Sequence, residues 1–317
     1  ASNLDVITRY PDRNYTSLRE AIGNYCGASP AHIVVGNGST ELISLLISQR
    51  APKKALLLGP TYSEYNRELS LINASTETYL LREEDDFLLN ADDFLSACTE
   101  DIDLVIICNP NNPTSSAIQT GDMERIIREC KKRNIFVMID ETYVEFAPCI
   151  EEITAIPLTK RYDNLMVIRG VSKFYAAPGL RFGYGITSSE AFLKSLHQHQ
   201  NPWSLNSVGA YTGELMLKDT DYFRETRALI LSERERMFAR LSHMDGYKPY
   251  AAYGNFILVR ILKEGLTSFD VFEAAIKNRL MIRDCSSFES LTGEYIRFCI
   301  MNPEDNDRLL HVLNSLI

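Results

Sequence analysis

The order of segments in this chain predicts an α/β fold: a mainly parallel central sheet covered by helices, followed by a smaller α+β domain. Three observations predict it. Runs of four to six apolar residues recur without polar alternation, the pattern of strands buried on both faces. Each run ends in turn residues and is separated from the next by a more polar helical stretch. The pattern changes near Asp221, where one long amphipathic helix leads into shorter strands.

Taken in order, "HIVVGNG" and "KALLLGP" read as short buried strands, and "DLVIICNPNNPT" and "IFVMIDETY" repeat the design around the helical stretch "GDMERIIRECKKRN". "NLMVIRGVSK" and "RFGYGIT" add two more strands. The tail opens with the amphipathic "YFRETRALILSERERMFARLSHM" and continues through "NFILVRIL", a helix around "SFDVFEAAIKN", "LMIRD" and "YIRFCIM". The expected division is an N-terminal segment 1–27 that serves the small domain and a dimer contact, a large domain 28–223 and a small domain 224–317. No repeat or low-complexity linker interrupts the chain.

At 317 residues with 45% hydrophobic content, the chain can bury a substantial core and is too long for one small domain. The formal charge of −9 excludes a general nucleic-acid or anionic-membrane surface and leaves room for a local basic pocket. A small-molecule partner is therefore expected. No stretch approaches the ~20 uninterrupted apolar residues of a membrane span, and "ASNLDVITRYPDRNY" has neither the charged start nor the apolar centre of a signal peptide. The expected location is cytoplasmic. Seven scattered cysteines without a CxxC pair point to reduced thiols, and His197 and His199, two apart on a helix, face different directions, so no metal site is expected.

Polar residues cluster where the predicted strands end. In an open parallel sheet those carboxyl ends form the ligand crevice, so "GNGSTE", "GPTYSEY", "NPNNPT", "DETY" and "SK" are expected to converge. Alone, each has an ordinary explanation: a capped helix start, a rigid turn, a capping aspartate, a surface lysine. Together, in this order, they resemble the fold type I pyridoxal-phosphate (PLP) enzymes, in the aminotransferase branch that holds histidinol-phosphate aminotransferase and threonine-phosphate decarboxylase. The resemblance runs from "RYPD" at Arg9 to "NPEDNDRLL" near the end, and Lys173 and Arg181 keep the family's eight-residue separation.

The resemblance implies PLP as cofactor and gives each motif a task. Lys173 matches the lysine that holds PLP as a Schiff base and moves a proton. Asp140 matches the carboxylate that pairs with the pyridine nitrogen, Asn112 and Tyr143 the groups that hydrogen-bond the ring's phenolic oxygen, and Tyr62 the aromatic that stacks on the ring. Gly38, Ser39 and Thr40 open a helix whose N-terminus suits the cofactor phosphate, with Ser172 and Arg181 completing the cradle. Arg297 matches the arginine that receives the substrate's anionic group beside Asn112. Arg283 is a second candidate there, with an arginine on a strand edge as the equal alternative. Tyr10 matches a residue that crosses a dimer interface to the neighbouring cofactor phosphate, which implies a homodimer with shared sites.

Two departures stand out: Ser115 follows "NNPT" where many relatives have glycine, and Gly170 stands where a Ser or Thr often helps bind the phosphate. An N-terminal arm with an Asn-Pro-Gly type motif usually precedes this point; it is either absent from the protein or mobile, and mobility is the expectation. The resemblance implies a small phosphorylated amino acid or amine as substrate. "NPWSLNSVGA", with Trp203, and "SKFYAAPGLR" are closer to the decarboxylases, as is "IRDC" followed by Phe288, with packing as the plain alternative for Trp203. The expected reaction is decarboxylation of L-threonine O-3-phosphate to 1-amino-2-propanol O-phosphate, a precursor in cobalamin biosynthesis. The alternative is histidinol-phosphate transamination; a remote third is a PLP-fold binding module without catalysis, against which Lys173, Asp140, Asn112, Tyr143 and Arg181 together argue.

Overall fold

Residues 3–317 are described by the computed structural model; the first two residues of the expected 1–27 segment lie outside these. Seven strands form the larger sheet: β1 (Ile33–Gly36), β2 (Lys54–Gly59), β3 (Ser75–Leu80), β4 (Leu104–Cys108), β5 (Phe136–Asp140), β6 (Leu165–Gly170) and β7 (Gly183–Ile186). Their spatial order is β1-β7-β6-β5-β4-β2-β3. All neighbours pair in parallel except β7, which runs antiparallel to β1 and β6.

Burial on both faces is what the apolar runs demanded. Along β4, Val105 and Ile107 join one core cluster while Leu104, Ile106 and Cys108 join the other. Along β5, Val137 and Ile139 alternate in the same way with Phe136 and Met138. Each such side chain, fully buried, is worth about 1.5–3 kcal/mol relative to exposure. The helices that cover the sheet include α1 (Thr16–Cys26), α2 (Ser39–Arg50), α3 (Glu64–Leu71), α4 (Ala91–Ala97), α5 (Thr120–Lys132), α6 (Glu190–His199) and α7 (Ser207–Met216). In α5 the buried set Met123, Ile126, Ile127 and Cys130 follows one helical stripe, so a helix with charged outer positions still docks firmly.

A long helix, α8 (Thr220–Ser242), leads to the second sheet. That sheet is antiparallel, in the order β10-β11-β9-β8, from β8 (Tyr247–Pro249), β9 (Phe256–Ile261), β10 (Arg283–Asp284) and β11 (Tyr295–Cys299). Helices α9 (Ser268–Lys277) and α10 (Pro303–Asn314) complete this part; α9 starts on a reciprocal cap between Thr267 and Asp270. Among the described residues, no helix is long and apolar enough to cross a membrane, and no group of three or more His, Cys, Asp or Glu is placed to hold a metal. All seven cysteines are free.

Candidate active site

The carboxyl ends of β4, β5 and β6, the first turn of α2 and one strand of the second sheet surround a cavity of about 300 Å³, within the range of small-molecule sites. Gly38, Ser39, Thr40, Tyr62, Asn112, Asp140, Tyr143, Ser172, Lys173, Arg181 and Arg297 all lie on its wall. Tyr10 and Arg283 do not.

Asp140 ends β5 and is nearly fully buried. Its Oδ2 accepts the Tyr65 hydroxyl at 2.7 Å, and its Oδ1 accepts both the Thr142 N–H at 3.0 Å and the Thr142 hydroxyl at 2.5 Å. Burial raises its pKa above the ordinary carboxylate value, while the bonds from Thr142 and Tyr65 and the charge of Lys173 pull the other way. A cationic N–H donor inside the cavity would relieve that burial. Lys173 follows β6 in a tight turn, with Nζ 6.0 Å from the centre of the Tyr143 ring. Tyr65 and Thr142 were absent from the sequence reading. The signal for Thr142 was present, since an aspartate two residues before a threonine commonly bonds its backbone. Tyr65 is three residues beyond Tyr62, one turn along, and its ring meets that of Tyr62 edge-on at 5.5 Å.

At the other end of the cavity, Gly38 precedes α2 with φ 82° and gives it no side-chain cap, so the first N–H groups of α2 belong to the cavity wall. A Cβ on Gly38 would collide with the Arg181 guanidinium, which therefore lies directly against the start of the helix. Arg181 donates from Nη1 to the Pro178 carbonyl at 3.1 Å. No ion pair to Lys173, Arg181 or Arg297 is found among the described residues. The departure at Gly170 has a local answer: a Cβ there would stand 3.3 Å from Ser39 Oγ, so the Ser39 hydroxyl occupies the neighbouring space.

Arg297, on β11, reaches the cavity from the second sheet and donates to Asn112 Oδ1. Its guanidinium lies 5.0 Å from the centre of the Phe256 ring. Its Nε is buried without a partner among the described residues. Arg283 is the register partner of Arg297 on β10, yet it is exposed, donates to Ser287 Oγ at 2.6 Å and lies 5.8 Å from the Phe288 ring. Tyr10 is 80% exposed and meets the Trp203 ring at 4.9 Å; Trp203 itself is 44% exposed.

The charges define what the cavity accepts. Three cationic side chains, Lys173, Arg181 and Arg297, share its wall with one carboxylate, Asp140, in a protein of net charge −9. It is a local anion site in an acidic molecule. PLP fits the observed set: a helix start with an adjacent guanidinium for its phosphate, a buried carboxylate lacking a cation for its ring nitrogen, and a lysine without a counter-ion for its aldehyde.

Comparison with known proteins agrees. The sequence profile of the family "Aminotransferase class I and II" matches residues 2–313. The threonine-phosphate decarboxylase of Salmonella typhimurium is 33% identical over 315 residues, covering 99% of this chain and 85% of that protein. The histidinol-phosphate aminotransferase of Thermoanaerobacter pseudethanolicus is also 33% identical, over 311 residues, 97% of this chain and 84% of the other. The crystal structure of the histidinol-phosphate aminotransferase from Clostridium acetobutylicum superposes with a TM-score of 0.91 at 30% identity, covering 98% of this chain and 91% of that one.

Proposed function

This chain belongs to the class I and II aminotransferase family of PLP-dependent, fold type I enzymes, and from that premise we propose that it decarboxylates L-threonine O-3-phosphate. The products are 1-amino-2-propanol O-phosphate and CO2, with one proton taken up at the α-carbon. The observation that carries the choice within the family is the run Pro202-Trp203-Ser204-Leu205-Asn206 as the fold presents it. Trp203 is 44% exposed, more than a tryptophan that serves the core alone, and lies against the still more exposed Tyr10. In the proposed homodimer with shared sites, both exposed rings would meet a second copy of the chain.

When bound, PLP supplies an anchor for the substrate amine and an electron-withdrawing ring that accepts the charge left at the α-carbon. The remaining work falls to the chain. Lys173 Nζ would hold the cofactor, yield it to the substrate amine and then carry the proton that replaces the departing carboxylate. Asp140, held by Tyr65 and Thr142, would keep a proton on the ring nitrogen. Tyr62 would cover the ring face, with Asn112 and Tyr143 at its phenolic oxygen. Ser39, Thr40, Ser172 and Arg181 would hold the cofactor phosphate, leaving Arg297 for the substrate's own anionic group.

Sustained CO2 release from O-phospho-L-threonine by the PLP-loaded protein, without any keto acid, tests this directly. The equal identity to a histidinol-phosphate aminotransferase supports the second reading, in which Lys173 shuttles the α-proton to the cofactor. Absence of CO2, with stoichiometric conversion of the cofactor to its amine form by histidinol phosphate or glutamate, would establish that reading.

A further inference from the structure

The loop carrying Asn112 is fastened to the second sheet by a residue in a left-handed conformation. Ser115 is fully buried with φ 61°, where an L side chain crowds its own backbone and glycine does not. Its carbonyl accepts the Tyr253 N–H at 2.8 Å, and its Oγ accepts the Gly254 N–H at 2.8 Å. The Gly254 carbonyl accepts in turn from Arg234 Nη1 at 2.7 Å, and the same nitrogen donates to the Phe146 carbonyl at 2.9 Å. Gly254 is thus held by both of its backbone polar groups.

What Gly254 holds is the start of β9. Two residues on, the Phe256 ring meets Tyr143 edge-on at 4.9 Å and lies 5.0 Å from the Arg297 guanidinium. Arg297 sits on the adjacent strand opposite Leu258 and donates to Asn112 Oδ1, three residues before Ser115. The contacts close a ring: Ser115, Gly254, Phe256, Arg297, Asn112 and back along the chain. The geometry points to Ser115 as a positioning residue for substrate capture, fixing through β9 where the Arg297 guanidinium stands over the cavity. This rests on Arg297 receiving the substrate's anionic group. It explains why a strained serine stands where glycine would be relaxed: the hydroxyl is needed as an acceptor.

The test uses the holoenzyme with Ser115→Gly, which relaxes the backbone while removing the acceptor, and Ser115→Ala, which removes the acceptor and keeps the strain. The substrate is whichever of O-phospho-L-threonine and histidinol phosphate the wild type turns over, and Arg297→Lys is measured alongside. KM is expected to rise about tenfold in both serine variants with kcat within about threefold, since the lost contact acts on binding geometry. Amide hydrogen exchange is expected to quicken across residues 254–258, and Ser115→Ala to show the lower thermal midpoint. A purely structural serine would lower that midpoint and leave the KM-to-kcat split alone. An unchanged KM in Ser115→Gly, beside a raised KM in Arg297→Lys, would overturn the proposal while leaving the functional reading intact. If Arg297→Lys also leaves KM unmoved, the assignment of Arg297 fails instead, and exchange confined to Gly254 would then remove the role of Ser115 in placing β9.

Discussion

Asp140 and Glu141 are consecutive carboxylates at the end of one strand, both buried, with opposite fates. Strand alternation sends them to opposite faces of the sheet. Glu141 meets Arg169, which is 5% exposed and donates from Nε and Nη2 to Oε2 at 2.9 and 2.7 Å. The Thr154 hydroxyl at 2.9 Å and the Ala155 N–H at 2.5 Å complete its shell. Asp140 has donors and no cation bonded to it, and it opens on a cavity. A buried charge with its counter-charge already in place is structure. One that still lacks it and also opens on a cavity marks a candidate ligand site.

Variants at the cavity and at the paired site should separate along that line. The largest effect is expected for Lys173→Ala, which removes the amine that would hold the cofactor and move the proton: kcat/KM should fall by roughly 10⁴-fold or more, general acid–base catalysis alone being worth about 10²–10⁴. Loss of the visible absorption band of the lysine-bound cofactor checks it, and a retained band would remove Lys173 from that role. The next contrast is between the two neighbours. Asp140→Asn keeps shape and removes charge, so activity should fall about 10²-fold with little loss of stability. Glu141→Gln removes the bonded counter-charge of the buried Arg169, leaving only Glu145 at 3.8 Å, and should cost about 3 kcal/mol in denaturant unfolding while the folded fraction keeps its kcat. Equal stability losses in both would erase the distinction.

What could be read in advance follows the same physics. β4 and β5 were legible because burial on both faces leaves an unbroken apolar run; β3, the polar edge strand "STETYL", was not, because one side of it meets solvent. β8, of three residues, is too short to show any period, and of the expected strand "LMIRD" only Arg283 and Asp284 form β10. At the cavity, Asp140, Lys173 and Arg181 stood out by motif order. Tyr65 did not, since its role depends on how α3 leaves β2, and the Glu141–Arg169 pair depends on the register between β5 and β6.

Glu145 sharpens the comparison from the paired side. It lies 3.8 Å from Arg169, whose short bonds go to Glu141, and its Oε2 is buried without a partner among the described residues. Burial pushes its pKa up to about 7 from an ordinary 4.5. A carboxyl whose folded pKa lies above its unfolded value binds more protons when folded, so stability falls as pH rises between the two values and levels off above the higher one. From about pH 4.5 to about 7 the loss amounts to about 3 kcal/mol. Glu145→Gln should flatten that slope, matching the wild type near pH 4.5 and exceeding it above pH 7 in denaturant titrations. Parallel curves would mean that Glu145 is ionised and adequately paired throughout.

The smallest expected effect concerns how Asp140 is held by neutral donors, with no cation bonded to it among the described residues. The Tyr65 hydroxyl donates to one oxygen while both Thr142 donors serve the other, so Tyr65→Phe leaves Oδ2 with no protein donor among those described. Hydrogen bonds to a charged acceptor are worth about 1.5–3 kcal/mol, and some of that returns through water entering the 300 Å³ cavity. Activity should therefore fall only about tenfold or less. The direction in pH is more telling: the Tyr65 bond lowers the Asp140 pKa, so its removal raises that pKa and moves the acid limb of the activity profile to higher pH. A profile that loses height without moving would mean that Tyr65 only packs beneath Tyr62, and that Thr142 alone holds the carboxylate.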